Sequence, residues 1–263
     1  NPETISTATK LTEDMVVYGN LVVSADIDLN SHTLNVKGNI RQAGGTLFIN
    51  KGTLNVDGEY RIQGKTTDSV TGEQVYQYST GILKMVYPED IVRVGGSFTT
   101  QSSYSHSNYL TAGTMEIKGD FNQIVYVNSD NFKCSGTHKV ILNGVGEQNV
   151  YMGSSNSVIN ELAAENSSSR KVTLGGAVRI NKLDTDIYVT SSNLNLDGVN
   201  INGKTFSVNG DIVLRNNDTN INGGILGVTG NLLQSSGTIF INKGALNVDG
   251  EYRIQGKTTD SVT

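Results

Sequence analysis

The sequence predicts an all-β fold, a parallel β-helix in the form of a triangular β-solenoid with about 20 residues per rung. Three observations predict it. The first is duplication: residues 50–71 (NKGTLNVDGEYRIQGKTTDSVT) return at 242–263, differing only at Thr53 and Ala245 with an offset of 192. The second is a glycine period of 20, from Gly38 to Gly58 and again through Gly210, Gly230 and Gly250, each in the frame apolar-x-Val-x-Gly-x-apolar (LNVKGNI, LNVDGEY, FSVNGDI, LGVTGNL, LNVDGEY). The third is that apolar residues come in short alternating pairs, which is the signature of half-buried strands.

Each element follows in chain order within one rung. Leu47 and Ile49, Leu54 and Val56, and Tyr60 and Ile62 are spaced by two, so each pair sits on one face of a short strand, and Asn, Gly, Asp or Lys separates it from the next pair at a turn. Three strands per rung close a triangle. Rungs stacked at about 4.8 Å place each apolar residue above its equivalent: Ile27 over Leu47, Leu34 over Leu54, Leu21 with Ile40 and Tyr60, and at the C-terminal end Val208 with Val228 and Val248. About 13 rungs give a rod on the order of 60 Å long. A helical fold fails because no segment of useful length keeps the 3.6-residue apolar period, and VINELAAENS at 158–167 is the sole candidate. A β-sandwich would share the alternation but not the register. Asn-Gly at 143–144, 202–203, 209–210 and 222–223 supplies residues that accept positive φ at corners, and stacked Asn side chains can pair into amide ladders.

A second offset of 172 pairs KLTEDMVV (10–17) with KLDTDIYV (182–189), so residues 1–263 read as a single solenoid segment holding about 1.4 copies of a 172–192-residue superunit, cut from a longer array. The register loosens after Gly64. A loop excursion is expected near 65–90, because the span from Gly58 to Gly96 falls just short of two full rungs; VRVGGSF and MEIKGDF then restore the frame. Five of the 11 tyrosines lie between Tyr76 and Tyr109. Tyr76, Tyr78, Tyr104, His106 and Tyr109 are the candidate ligand-binding residues, as an aromatic platform that stacks on sugar rings. The alternative, that these rings seat the excursion against the rod, is the stronger of the two.

Composition narrows the function. The chain carries 20 Lys and Arg against 25 Asp and Glu, a net charge of −5 without a basic run, so neither nucleic acid nor anionic membrane is an expected partner. No apolar run reaches the length of a membrane span. Cys134 is the single cysteine, which excludes an intramolecular disulfide and a multi-cysteine zinc site. His32, His106 and His138 lack metal-ligand spacing, so no metal and no cofactor is expected. Asp26 with Asp28 and Asp184 with Asp186 stand two apart on outward strand faces and suit weak cation ligation less well than solvation; Glu89 with Asp90 is a third acidic pair. Asp57 and Asp249 occupy equivalent turns, which suits corner packing better than catalysis. A polysaccharide lyase or hydrolase, which works with clustered acids, calcium or a basic residue on one face, is the enzymatic alternative.

The phrases GTHKVILNG, NELAAENSS, LNLDGVNINGKTFSVNGDI and LNVDGEYRIQG resemble the tandem-repeat β-solenoid surface proteins of Gram-positive bacteria of the clostridial and bacillar type, with filamentous-haemagglutinin-like adhesin rods. The resemblance covers nearly the whole chain. It implies an extracellular or cell-surface location and a non-catalytic structural rod or stalk in an adhesin-like protein, with a surface glycan or neighbouring rods of the same protein as partners. A carbohydrate-binding adhesin module is the first alternative.

Overall fold

Apolar residues spaced by two along one stretch and by about 20 along the chain can bury themselves only against their own equivalents in the next coil. The computed structural model, which describes residues 2–255, shows that arrangement: strands pair in parallel with the strand one coil away, and no helix occurs among the described residues. The chain is a β-solenoid with three faces. Face 1 carries Thr53–Val56, face 2 carries Tyr60–Ile62 and face 3 carries Thr46–Phe48. On face 1 Leu34, Leu54 and Val92 stack in register, on face 2 Leu21, Ile40, Tyr60 and Phe98, and on face 3 Ile27, Leu47 and Leu83. All of these side chains are buried. The columns expected from the sequence are therefore the columns of the fold.

The coils are not uniform. The coil from Ile91 to Thr114 is longer than the one from Thr33 to Thr53, and the coil from Thr114 to Lys139 is longer still. The wider coils enclose larger side chains. Tyr60, Phe98, Phe121 and Phe132 form a continuous stack with neighbouring ring centroids 5.4, 5.7 and 4.7 Å apart, ending edge-on against His138. The Tyr60 hydroxyl, buried inside the rod, donates to Gln42 Oε1 at 2.6 Å, which satisfies the phenol's O–H.

Strand faces and corners alike are held by side chains that reach one coil back. Asn55 Nδ2 donates to Asn35 Oδ1 and Asn222 to Asn200 at 2.9 Å, Asn242 to Asn222 at 3.0 Å, and Asn39 to Asn20 at 3.1 Å, which realises the amide ladders. Asn30, Asn50, Asn202, Asn222 and Asn242 all have positive φ, a conformation asparagine tolerates better than most residues. Where the chain rounds a corner without breaking its strand, at Gly176 (φ 81°), a Cβ would collide with the Met152 carbonyl oxygen. Only glycine fits there.

The rejection of a helix holds, and one expectation is corrected. Residues 158–167 are not helical: Ile159–Ala164 is a strand, because its Ile159, Leu162 and Ala164 enter the common core and its backbone pairs on both sides. The excursion is shorter than 65–90. It is an antiparallel hairpin of Gly64–Thr67 with Gln74–Gln77, and the chain rejoins face 3 at Ile82–Lys84. Tyr60 pairs with Phe98, so the stretch from Gly58 to Gly96 is a single coil with a hairpin inserted, not two short coils.

The duplicated segments are also placed differently from a simple stacking of equivalents. Val56 lies on face 1 with Val94 and Ile117, whereas Val248 lies with Val228, Val208 and Val189 on face 2. Following the pairings from Thr53 through Ile91, Thr114, Lys139, Glu161 and Lys182 towards Ile239–Phe240 brings face 1 to its end just before Ala245. The second copy is thus turned by one face of the triangle relative to the first. Its last residues, 256–263, lie outside the described residues.

Candidate functional site

The hairpin leaves the rod at the corner between faces 2 and 3 and folds over face 2. Alternation along Gln74–Gln77 and into Tyr78 sends Tyr76 and Tyr78 to the same side. There Tyr76 meets two cations: its ring centroid is 4.7 Å from the Arg61 guanidinium carbon and 4.9 Å from Lys65 Nζ, both attracted to the ring face. Tyr78 stacks on Tyr126 at 4.7 Å with the planes 12° apart. Tyr104 follows the next face 2 strand, Phe98–Thr100, at the same corner and is exposed. Tyr109 lies instead on face 3, where its ring is 5.9 Å from Lys84 Nζ.

The structure thus gathers Tyr78 and Tyr104 at one corner, sets Tyr76 against the face 2 cations and separates Tyr109 from both. His106 cannot join a surface platform, which corrects its assignment as a ligand residue. It is 1% exposed, and its Nε2 accepts the Leu83 backbone N–H at 3.1 Å. Burial lowers its pKa to about 4, and that of His138, which finds no hydrogen-bond partner for either ring nitrogen, to about 3. Both are neutral core residues at pH 7. Cys134 is buried on face 3, and burial pushes its thiol far above the usual range, so it is not a thiolate nucleophile.

The acidic pairs staple coils. Asp26 Oδ1 accepts the Thr46 N–H, and Asp28 Oδ1 accepts from Asn30 and Asn50. Asp184 bonds Lys139, whose ammonium holds the Asp184 carboxyl below the usual carboxylate range, while Asp186 pairs with Arg170 and accepts the Thr205 N–H. Asp90 is fully buried, with its carboxylate taking N–H groups from Lys51 and Val86 at 2.6 Å and from Tyr87 at 3.0 Å. Among the described residues no three acidic, His or Cys side chains converge as metal ligands.

Among the grooves on the surface are one on face 1 and one on face 2. One of about 570 Å³ runs along face 1 over Asn35, Asn55, Arg93 and Glu116. Its charges are mostly spent internally, with Lys37 on Asp57 at 3.4 Å and Arg93 on Glu116 at 3.2 Å. The other, about 180 Å³, lies on face 2 beneath the hairpin, between Asn20, Val22, Asn39, Arg41, Lys65 and Tyr76. The sequence does not single out Arg41, Arg61, Lys65 or Tyr126. A signal exists for the two arginines, which follow the same frame in LNVKGNIR and LNVDGEYR and so stack as Arg61 on Arg41. Nothing in the sequence places Lys65 or Tyr126 there, since the first depends on how the hairpin folds back and the second on a stack across two coils. Comparison with protein-family models, curated proteins and solved structures found no match to this chain.

Proposed function

We propose that the chain is a non-catalytic rod segment of a bacterial cell-surface or secreted adhesin-like protein, a stiff spacer that carries other elements away from the cell. One observation carries this reading: of the near-identical segments at 50–71 and 242–263, the described parts, 50–71 and 242–255, enter the same solenoid on different faces. A duplication that need not complete a whole number of coils can lengthen a rod at any point, because every face offers the same pleat and the same spacing of about 4.8 Å. Selection for length tolerates that freedom, whereas a catalytic face would have to return to one azimuth. Of the acids that the sequence offers for polysaccharide cleavage, Asp26, Asp28, Asp90, Asp184 and Asp186 are engaged in staples between coils, which also favours the spacer.

The test has two parts. Chains carrying one and two further copies of the repeat should scatter X-rays as rods of constant cross-section whose length rises in proportion to the added coils. Antibodies to the purified chain should label intact cells of the organism that makes it; labelling that needs permeabilised cells would overturn the surface assignment, and a change in cross-section would overturn the rod.

A second reading is favoured by the exposed Tyr78–Tyr126 stack with Tyr104 at the hairpin corner: a carbohydrate-binding adhesin module in which a neutral sugar ring lies on the free aromatic faces. Binding on a glycan array that survives in Tyr104→Ala/Tyr126→Ala would refute it.

A further inference from the structure

We propose that the face 2 groove beneath the hairpin is a binding site for an acidic saccharide, a pyranose bearing a carboxylate or a sulfate ester. This site stands independently of both readings above. Charge points to it first. On a chain of net charge −5, Arg41, Arg61 and Lys65 are brought together within two coils and the base of one hairpin. Arg61 is spoken for, with Nε on Glu59 at 2.8 Å and a nitrogen on Gln63 Oε1 at 3.2 Å. Arg41 and Lys65 are in no ion pair among the described residues, and both line the groove.

The polar lining has a definite sense. Among the described residues no carboxylate side chain lines the groove. Asn20 Oδ1 is already used as an acceptor by the Asn39 backbone N–H and by Asn39 Nδ2, while Asn39 Oδ1 accepts the Glu59 N–H. Among the charged and amide side chains of the lining, what remains free to a ligand is the Arg41 fork, the Lys65 ammonium and amide N–H groups of Asn20 and Asn39, all of them donors. A wall of donors matches an acceptor-rich anion, and Arg41 presents the planar geometry that holds a carboxylate or sulfate through two parallel bonds. Tyr76 serves as a positioning residue. With Arg61 at 4.7 Å and Lys65 at 4.9 Å from its ring centre, it fixes the ammonium at the groove's edge and leaves a saccharide hydroxyl to meet the Asn20 amide. Val22 supplies an apolar patch at the floor for the sugar's C–H face. The hairpin is what completes the site, since Lys65 and Tyr76 belong to its two strands.

The test is calorimetric titration of the chain at low salt with four probes of similar length: oligogalacturonate, a sulfated oligosaccharide, neutral maltooligosaccharide and poly-glutamate. The expected result is binding of at least one acidic saccharide, about tenfold or more tighter than the neutral one, weakening as salt rises. Arg41→Ala/Lys65→Ala should lose about tenfold or more in affinity, the loss of at least one charge-assisted hydrogen bond. Arg215→Ala/Lys243→Ala, which removes the same charge elsewhere, should bind as the parent chain does. If the first variant misfolds, Arg41→Gln/Lys65→Gln keeps most of the side-chain volume and serves in its place. The oligogalacturonate and sulfate arms tell the two acidic groups apart. The proposal is overturned by no binding of either acidic saccharide, by equal loss in the control variant, by equal affinity for the neutral oligomer, or by poly-glutamate binding as tightly.

Discussion

Leu54 and Leu246 are the same residue in the same local sequence, and they separate what neighbouring coils contribute from what the strand contributes by itself. Leu54 is fully buried between Leu34 in the coil before and Val92 in the coil after. Among the described residues Leu246 pairs with Leu226 on one side only, and it is partly exposed. Leu54→Ala removes three carbons from a site closed above and below. Buried Leu→Ala changes cost about 2–5 kcal/mol, and a site with stiff β neighbours on both sides collapses poorly, so about 3 kcal/mol is expected. Leu246→Ala removes the same atoms from a site already open to water and should cost about 1 kcal/mol. Guanidinium unfolding followed by far-UV circular dichroism compares the two, with amide exchange at Val56 and Val248 localising the effect if the coils unfold in more than one step. Equal losses in the two variants would refute the reasoning, because burial by the adjacent coil would then contribute nothing.

The remaining predictions concern pH, the hairpin, a corner and the thiol. His106 and His138 stay neutral in the fold down to about 4 and about 3, whereas the unfolded chain protonates them near pH 6.5. Stability present above pH 6.5 should therefore fall as the pH drops, by about 2–3 kcal/mol per histidine at pH 4.5, and urea midpoints of His138→Leu should show a shallower decline than the parent. Deleting residues 64–79 leaves Gln63, Thr80 and Gly81 between Tyr60–Ile62 and Ile82–Lys84, a connection as long as the one that joins Ile40–Gln42 to Thr46–Phe48; the shortened chain should keep its strand spectrum and lose acidic-saccharide binding. Gly210→Ala, at φ 137°, drives a Cβ into the Ser191 carbonyl oxygen, whereas at Gly203, with φ 74°, the space is open. The first change should cost several kcal/mol against about 1 kcal/mol for Gly203→Ala, and thermal melts rank the two. Cys134 should resist alkylation by iodoacetamide in the native state and react only on unfolding.

What could be read from the sequence was everything that repeats over short range. Alternation by two fixed which residues of Thr53–Val56 and Tyr60–Ile62 point inward, and recurrence at 20 fixed that Leu34, Leu54, Ile40 and Tyr60 stack on their equivalents, since a strand has no other way to bury one face. The asparagine ladders followed from the same period. The tertiary structure alone decided matters that depend on counting coils and not residues. A hairpin absorbed in one coil and wider coils around the Phe98–Phe132 stack change how many residues make a turn, so the offset of 192 could not reveal that the second copy is turned by one face. The cationic groove belongs to the same class. Arg41 and Arg61 share a register legible in the sequence, but Lys65 and Tyr76 reach them only because the hairpin folds over face 2, and a fold-back of that kind is set by packing across space, which no local period encodes.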